Sequence, residues 1–290
     1  MAGCLQACRQ KQVLADAGAA DAGTYDAFHS PQDVAIEGYS GDAMEPFLTR
    51  DGLYMLFNNR NEPPENTNLH WAKRVDDLKF HYLGEIPAVN TNALEAVASM
   101  DRDGNLYFVS NRSYDQTSST IYRTRFVDGV AGPPELVEGV SRKIPGWVNF
   151  DAEISADGRT LYFVDGYFGS AGYPQKASIV CAVRSGKGFR RRGDTARIFE
   201  NVNAQGLQYA PNLSGDELEL FVTRVPSTTG STPPAIYRSV RTAIDDTFTA
   251  PQRVSAIEGF VEASTLSPDG RSLYYHARVG DKFRLRRVTR

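Results

Sequence analysis

The chain has 290 residues, 41% hydrophobic and 11% aromatic, enough for a sizeable core within one repeat domain. Its 32 Lys and Arg against 35 Asp and Glu leave a net charge of −3, so no basic field argues for a nucleic-acid partner. No run approaches the roughly 18 apolar residues of a membrane span, and Cys4, Cys8, Cys181 and four scattered histidines make neither a disulfide framework nor a zinc set.

Residues 1–29 read as a flexible tether, because the tract Ala15–Gly23 is built of small residues with no face to bury. The start Met1-Ala-Gly-Cys4 resembles the end of a bacterial lipoprotein signal, which would put a lipid anchor on Cys4 and the chain in the cell envelope or periplasm. The apolar segment that precedes such a cysteine is missing, so a disordered cytoplasmic leader is the alternative.

From residue 30 to 290 one sentence recurs: a short apolar strand, a tight turn around an aspartate, then an aromatic-rich strand. The turn aspartates are Asp51, Asp103, Asp157, Asp216 and Asp269, a period near fifty that marks a propeller. Unit two supplies strands over 94–99, 105–110, 120–126 and 134–140; unit three over 150–155, 160–164, 177–184 and 196–202; unit four over 209–214, 218–223, 235–242 and 251–257. Unit five has only three, over 263–267, 272–277 and 283–289. Its missing strand lies at the other end of the chain, where Pro31–Gly38 nearly repeats Pro251–Gly259. The expected fold is all-β: a five-bladed β-propeller of four-stranded blades, with the last blade closed by an N-terminal strand.

The pattern Ser-Pro-Asp-Gly, x, x, Leu-Tyr, clearest at Ser267–Tyr274 and continued at Leu106–Arg112, resembles the TolB-like, WD-like propeller repeat of bacterial periplasmic proteins. Unit four departs from it with Ser214-Gly-Asp-Glu217, and unit three has Asp165-Gly-Tyr167 where an arginine is common. The resemblance covers about residues 30–290 and implies the propeller. Its members include scaffolds, peptide or sugar binders and domains fused to enzymes, so it leaves activity open.

Strand order puts the Asp-Gly turns on one face and the longer loops 61–68, 113–119, 141–149, 167–176 and 225–234 on the other, which is the expected binding face. Near the start of the inner strands stand Glu45, Glu95, Asp151 with Glu153, and Glu262, with Tyr209 in unit four. Clustered carboxylates there could contact sugar hydroxyls, hold calcium, or act as an acid/base pair; equally, acids at a repeat position could hold blades together. Arg60, Arg112, Arg224 and Arg278 end the second strands and are expected to pair with those acids between blades. Trp147, Asn149 and Tyr167 complete the candidate ligand-binding set, with Trp147 the leading aromatic contact.

Two readings follow. One is a non-catalytic binding or scaffold module, expected as a monomer, that holds a glycan, a peptide or an envelope protein on the long-loop face and needs no cofactor. The other is a glycan-active enzyme, since five-bladed glycoside hydrolases place carboxylates on inner strands of their first blades and Glu45, Glu95 and Asp151 occupy blades one to three. No nucleophile elbow, phosphate loop or dinucleotide fingerprint points elsewhere.

Overall fold

The computed structural model describes residues 23–169, 172–226 and 232–290. Five antiparallel sheets form the blades of a closed ring. The inner strands are Met44–Leu48, Glu95–Met100, Trp147–Ile154, Leu207–Leu213 and Val261–Leu266. Each pairs with a second strand: Tyr54–Asn58, Asn105–Ser110, Thr160–Tyr167, Glu219–Val225 and Ser272–Val279.

The aromatic-rich second strands explain the ring. Successive side chains point to opposite faces of a strand, and here both faces are buried against a neighbouring blade. Leu161 and Phe163 pack toward blade two, while Tyr162 and Val164 pack toward blade four. The same division places Leu106 and Phe108 against blade one and Tyr107 against blade three. The core is therefore five interfaces between blades, the fifth joining Met55 and Phe57 of blade one to Tyr274 and Leu285 of blade five.

The turns use a hydroxyl as well as the aspartate. The Ser155 hydroxyl donates to Asp157 at 2.7 Å, and that carboxylate accepts the Arg159 N–H; Ser214–Asp216 and Ser267–Asp269 repeat the arrangement. Glycine fills the left-handed position in four turns, at Gly52, Gly104, Gly158 and Gly270. In blade four Glu217 takes it instead, with φ 62°, and accepts the Tyr162 hydroxyl of blade three.

The N-terminal closure runs further than the sequence implies. His29–Asp33 pairs with Lys282–Thr289 and completes blade five. Before it, Thr24–Tyr25 lies parallel to Arg253–Val254 of blade four; after it, Ala35–Glu37 lies parallel to Lys79–His81 of blade one. Residues 23–28, assigned to the tether by composition, are thus part of the propeller; the lipoprotein-like start at Cys4 lies outside the described residues. In blade three the outer strand is Gly188–Arg191, and the segment expected as a strand over 196–202 forms short helical turns instead. Blade two has only the two-residue pieces Val130–Ala131 and Glu135–Leu136 at its edge.

Every inner strand carries a β-bulge at the same place. The register slips around Glu45, Val97, Asp151, Ala210 and Ala263, each with φ between 45° and 54° and each six residues before a turn aspartate. A left-handed non-glycine residue costs on the order of 1–3 kcal/mol, so five in register are maintained by their surroundings. The bulge re-aims side chains and frees one N–H from the ladder.

Candidate functional site at the channel mouth

The freed N–H groups organise the channel. The residue opposite each bulge in the second strand is Asn58, Val109, Val164, Thr223 or His276. Where that residue can accept, it takes the bulge N–H of the next blade: Asn58 from Val97 at 3.3 Å, Thr223 from Ala263 at 2.9 Å, and His276 from Glu45 at 3.1 Å. Val164 cannot accept, and there Asp151 Oδ2 accepts the Ala210 N–H at 2.8 Å. Asp151 thus replaces a missing acceptor at the junction of blades three and four.

The acids are not equivalent members of a repeat. Glu45 and Asp151 occupy the bulge; Glu262 precedes it by one residue, Glu95 by two, and Glu153 follows it by two. Glu95 is fully buried within blade two, accepts from Thr91 and Ser110, and pairs with Arg112 at 2.9 Å. Glu153 lies deeper, where it pairs with Arg50 at 2.9 Å and accepts from Ser99 and Asn212. Arg50 also donates to the Ile154 and Met100 carbonyls and so plugs the turn side of the channel.

Glu45, Asp151 and Glu262 remain as an interacting group at the mouth. Burial raises the Glu45 carboxyl pKa, the Glu262 charge adds to it, and the proximity of His276 and a 3.1 Å hydrogen bond from Asn61 oppose it. Its other oxygen, Oε2, is buried without a partner among the described residues. Burial and the neighbouring Glu45 raise Asp151 well above the carboxylate range, with only the Ala210 N–H strongly opposing. Burial also pushes Glu262 upward, but hydrogen bonds from His276 and Tyr209 outweigh it and hold it below the ordinary value. An amide N–H can only donate, so His276 Nδ1 accepts from Glu45 and Nε2 carries the proton that it donates to Glu262 at 3.3 Å. The Tyr209 phenol, raised by burial and by Glu262, stays a donor to that carboxylate.

The channel between the bulges encloses a cavity of about 30 Å³, lined by Glu45, Glu153, Asn212 and small residues such as Ala98 and Ala152. That is room for a water or two. No three acidic, histidine or cysteine side chains converge closely enough to hold a metal ion among the described residues.

The remaining candidates pack where they stand. Trp147 meets Tyr167 at 5.4 Å and carries Arg142 over its ring at 4.5 Å. Asn149 donates to Asp165, which also pairs with Arg142 and Arg191. The expected inter-blade pairing is absent for three of the arginines among the described residues: Arg112 pairs within its own blade, and Arg60 and Arg278 form no ion pair; Arg224 lies over the Tyr237 ring. Parts of the loops 167–176 and 225–234 lie outside those residues. His276, Asn61 and Arg50 escaped the sequence reading. The signal for His276 was present, as a polar residue directly after the apolar run Leu273-Tyr-Tyr275 at the place filled by Asn58 in blade one.

No helix among the described residues is long and apolar enough to cross a membrane. No family model matches the sequence, and no curated protein matches it. Solved structures do match. A family 117 glycoside hydrolase from Zobellia galactanivorans is 9% identical, with a TM-score of 0.59 over 90% of both chains. A thermostable family-43 glycoside hydrolase is 14% identical, with a TM-score of 0.58 over 89% of this chain and 91% of its own. TolB from Acinetobacter baumannii is 14% identical, with a TM-score of 0.47 over 86% of this chain and 55% of its own. At these identities the hydrolase likenesses establish the β-propeller fold, and the looser TolB likeness adds nothing to that.

Proposed function

We propose that the protein binds a carbohydrate on its long-loop face without hydrolysing it. The observation that carries the non-catalytic half is the channel cavity beside Glu45: about 30 Å³ against the roughly 300–1,000 Å³ of ordinary ligand sites. Asp151 and Glu262 are also engaged as acceptors for backbone, tyrosine and histidine donors. The carbohydrate half draws on Trp147, Tyr167 and the 60% exposed Tyr173 at the rim, and on the fold shared with glycoside hydrolases. Aromatic faces at a polar rim suit sugar rings.

One observation favours the enzyme reading. Asp151 and Glu45 are pushed up while Glu262 is held down, and carboxyls driven apart in this way can divide acid and base roles. Calorimetric titration with soluble oligosaccharides, alongside a reducing-sugar assay on the same ligands, separates the readings. Binding without release of reducing ends, weakened by Trp147→Ala, supports the proposal. Turnover abolished by Glu262→Gln would replace it with hydrolysis.

A further inference from the structure

An aromatic-walled cavity of about 410 Å³ lies on the opposite, short-turn face, between blades one and two. Tyr54, Trp71 and Phe126 form part of its wall; Trp71 lies 5.3 Å from both other rings. The Asp128–Gly129 turn overhangs it, and a Cβ on Gly129 would sit 2.7 Å from the Trp71 ring, so the glycine lets the turn close onto the indole. Arg102 and Arg125 both line the cavity from blade two, both are exposed, and neither guanidinium makes an ion pair or hydrogen bond among the described residues. Asp51, Asp103 and Asp128 line the same space.

We propose that this pocket is a second ligand site, for a neutral saccharide of about two rings. A charged ligand of either sign would meet like charge from the arginines or the aspartates. An apolar ligand would desolvate both sets without replacing their hydrogen bonds. A neutral polyol uses donors and acceptors together, and the C–H face of a sugar ring packs against indole and phenol. The cavity at the junction of blades five and one is comparable, about 450 Å³, yet no aromatic side chain lines it and its Arg74 and Arg287 are paired with Asp77. The inference rests on the carbohydrate reading for its ligand class, and not for its place.

The chain has two tryptophans, one on each face, and that makes the test site-specific. Trp147→Phe leaves Trp71 as the only indole, and Trp71→Phe leaves Trp147. Both variants are titrated with maltose, lactose and cellobiose, with glucuronic acid as the charged comparison, while indole emission is followed. The expected result is a saturable change for at least one disaccharide in the variant that retains Trp71, with affinity reduced about tenfold by the further change Arg102→Ala or Arg125→Ala, consistent with loss of a charged hydrogen bond. Both arginines are exposed, so folding is not at stake. A response from Trp147 alone overturns the turn-face site and leaves the proposed function standing. A response from Trp71 alone supports the turn-face site and removes the long-loop one. Silence from Trp71, unchanged affinity in both arginine variants, or tighter binding of glucuronic acid each overturns the inference.

Discussion

The main-chain N–H of Glu45 donates to Nδ1 of His276 at 3.1 Å, across 231 residues of sequence and the junction of the first and last blades. Ring closure therefore uses the same bond that Asn58 and Thr223 supply at other junctions. Because asparagine and valine both occupy this place elsewhere in the ring, they make a controlled pair. His276→Asn keeps an acceptor for the Glu45 N–H, whereas His276→Val leaves it buried and unmet. The valine variant should be the less stable by about 1–3 kcal/mol in urea unfolding; equal midpoints would mean that the bond contributes nothing.

Asp151 carries a cost that depends on pH. Its folded pKa is raised by burial and by Glu45, so its favourable contribution is present in acid and lost as pH rises from the ordinary carboxylate range, near about 4, through the raised value. Asp151→Asn keeps an oxygen for the Ala210 N–H and cannot ionise. The variant should match the parent near pH 4 and exceed it by about 1–3 kcal/mol at pH 8. Parallel melting curves across that range would show that Asp151 titrates normally.

Glu153 is held by partners on every side. It pairs with Arg50 and accepts from Ser99 and Asn212 in two other blades. Glu153→Ala strands the Arg50 guanidinium, which is only 13% exposed, and should cost about 3–5 kcal/mol. Adding Arg50→Met should recover much of that loss. A double variant no better than the single would assign the penalty to packing instead.

The fold was legible because each blade repeats one physical unit. A turn aspartate fixes the hairpin, and a strand buried on both faces reads as an unbroken apolar run such as Leu161–Val164. The site was legible only as a list of acids. Glu45, Glu95 and Asp151 look equivalent by their nearness to inner-strand starts, yet the bulge sets Glu95 two residues away from the others and into a closed network with Thr91, Ser110 and Arg112. No residue type announces the bulge, since glutamate, valine, aspartate and alanine all occupy it. It recurs six residues before each turn aspartate, and the group that meets its N–H lies in the preceding blade, far away in sequence. The outer strand of blade three failed for a related reason: Ala196–Val202 has strand-like residues, but the tight turn at Gly186 returns the chain at once into Gly188–Arg191.

The N-terminal segment is the part of the ring whose contribution composition least suggests. Phe28 follows a run of small and polar residues, yet it is only 2% exposed. It meets Phe221 and Tyr25 edge-on, and Arg290 lies 4.9 Å over its ring. It therefore pins the chain between the pairing on blade four and the pairing on blade five. If this segment were a passive tether, Phe28→Ala would shift stability by no more than about 0.5 kcal/mol. As a core residue between two blades it should cost about 3–5 kcal/mol. Hydrogen exchange adds a second reading. Local loosening at Phe28 should raise exchange first at Val34, whose N–H donates to Leu285, and at Arg253, whose N–H donates to Gly23, while the Asn58–Val97 junction stays protected. Uniform loss of protection around the ring would mean that the propeller opens as one unit, with the N-terminal strand as its last bond rather than its weakest.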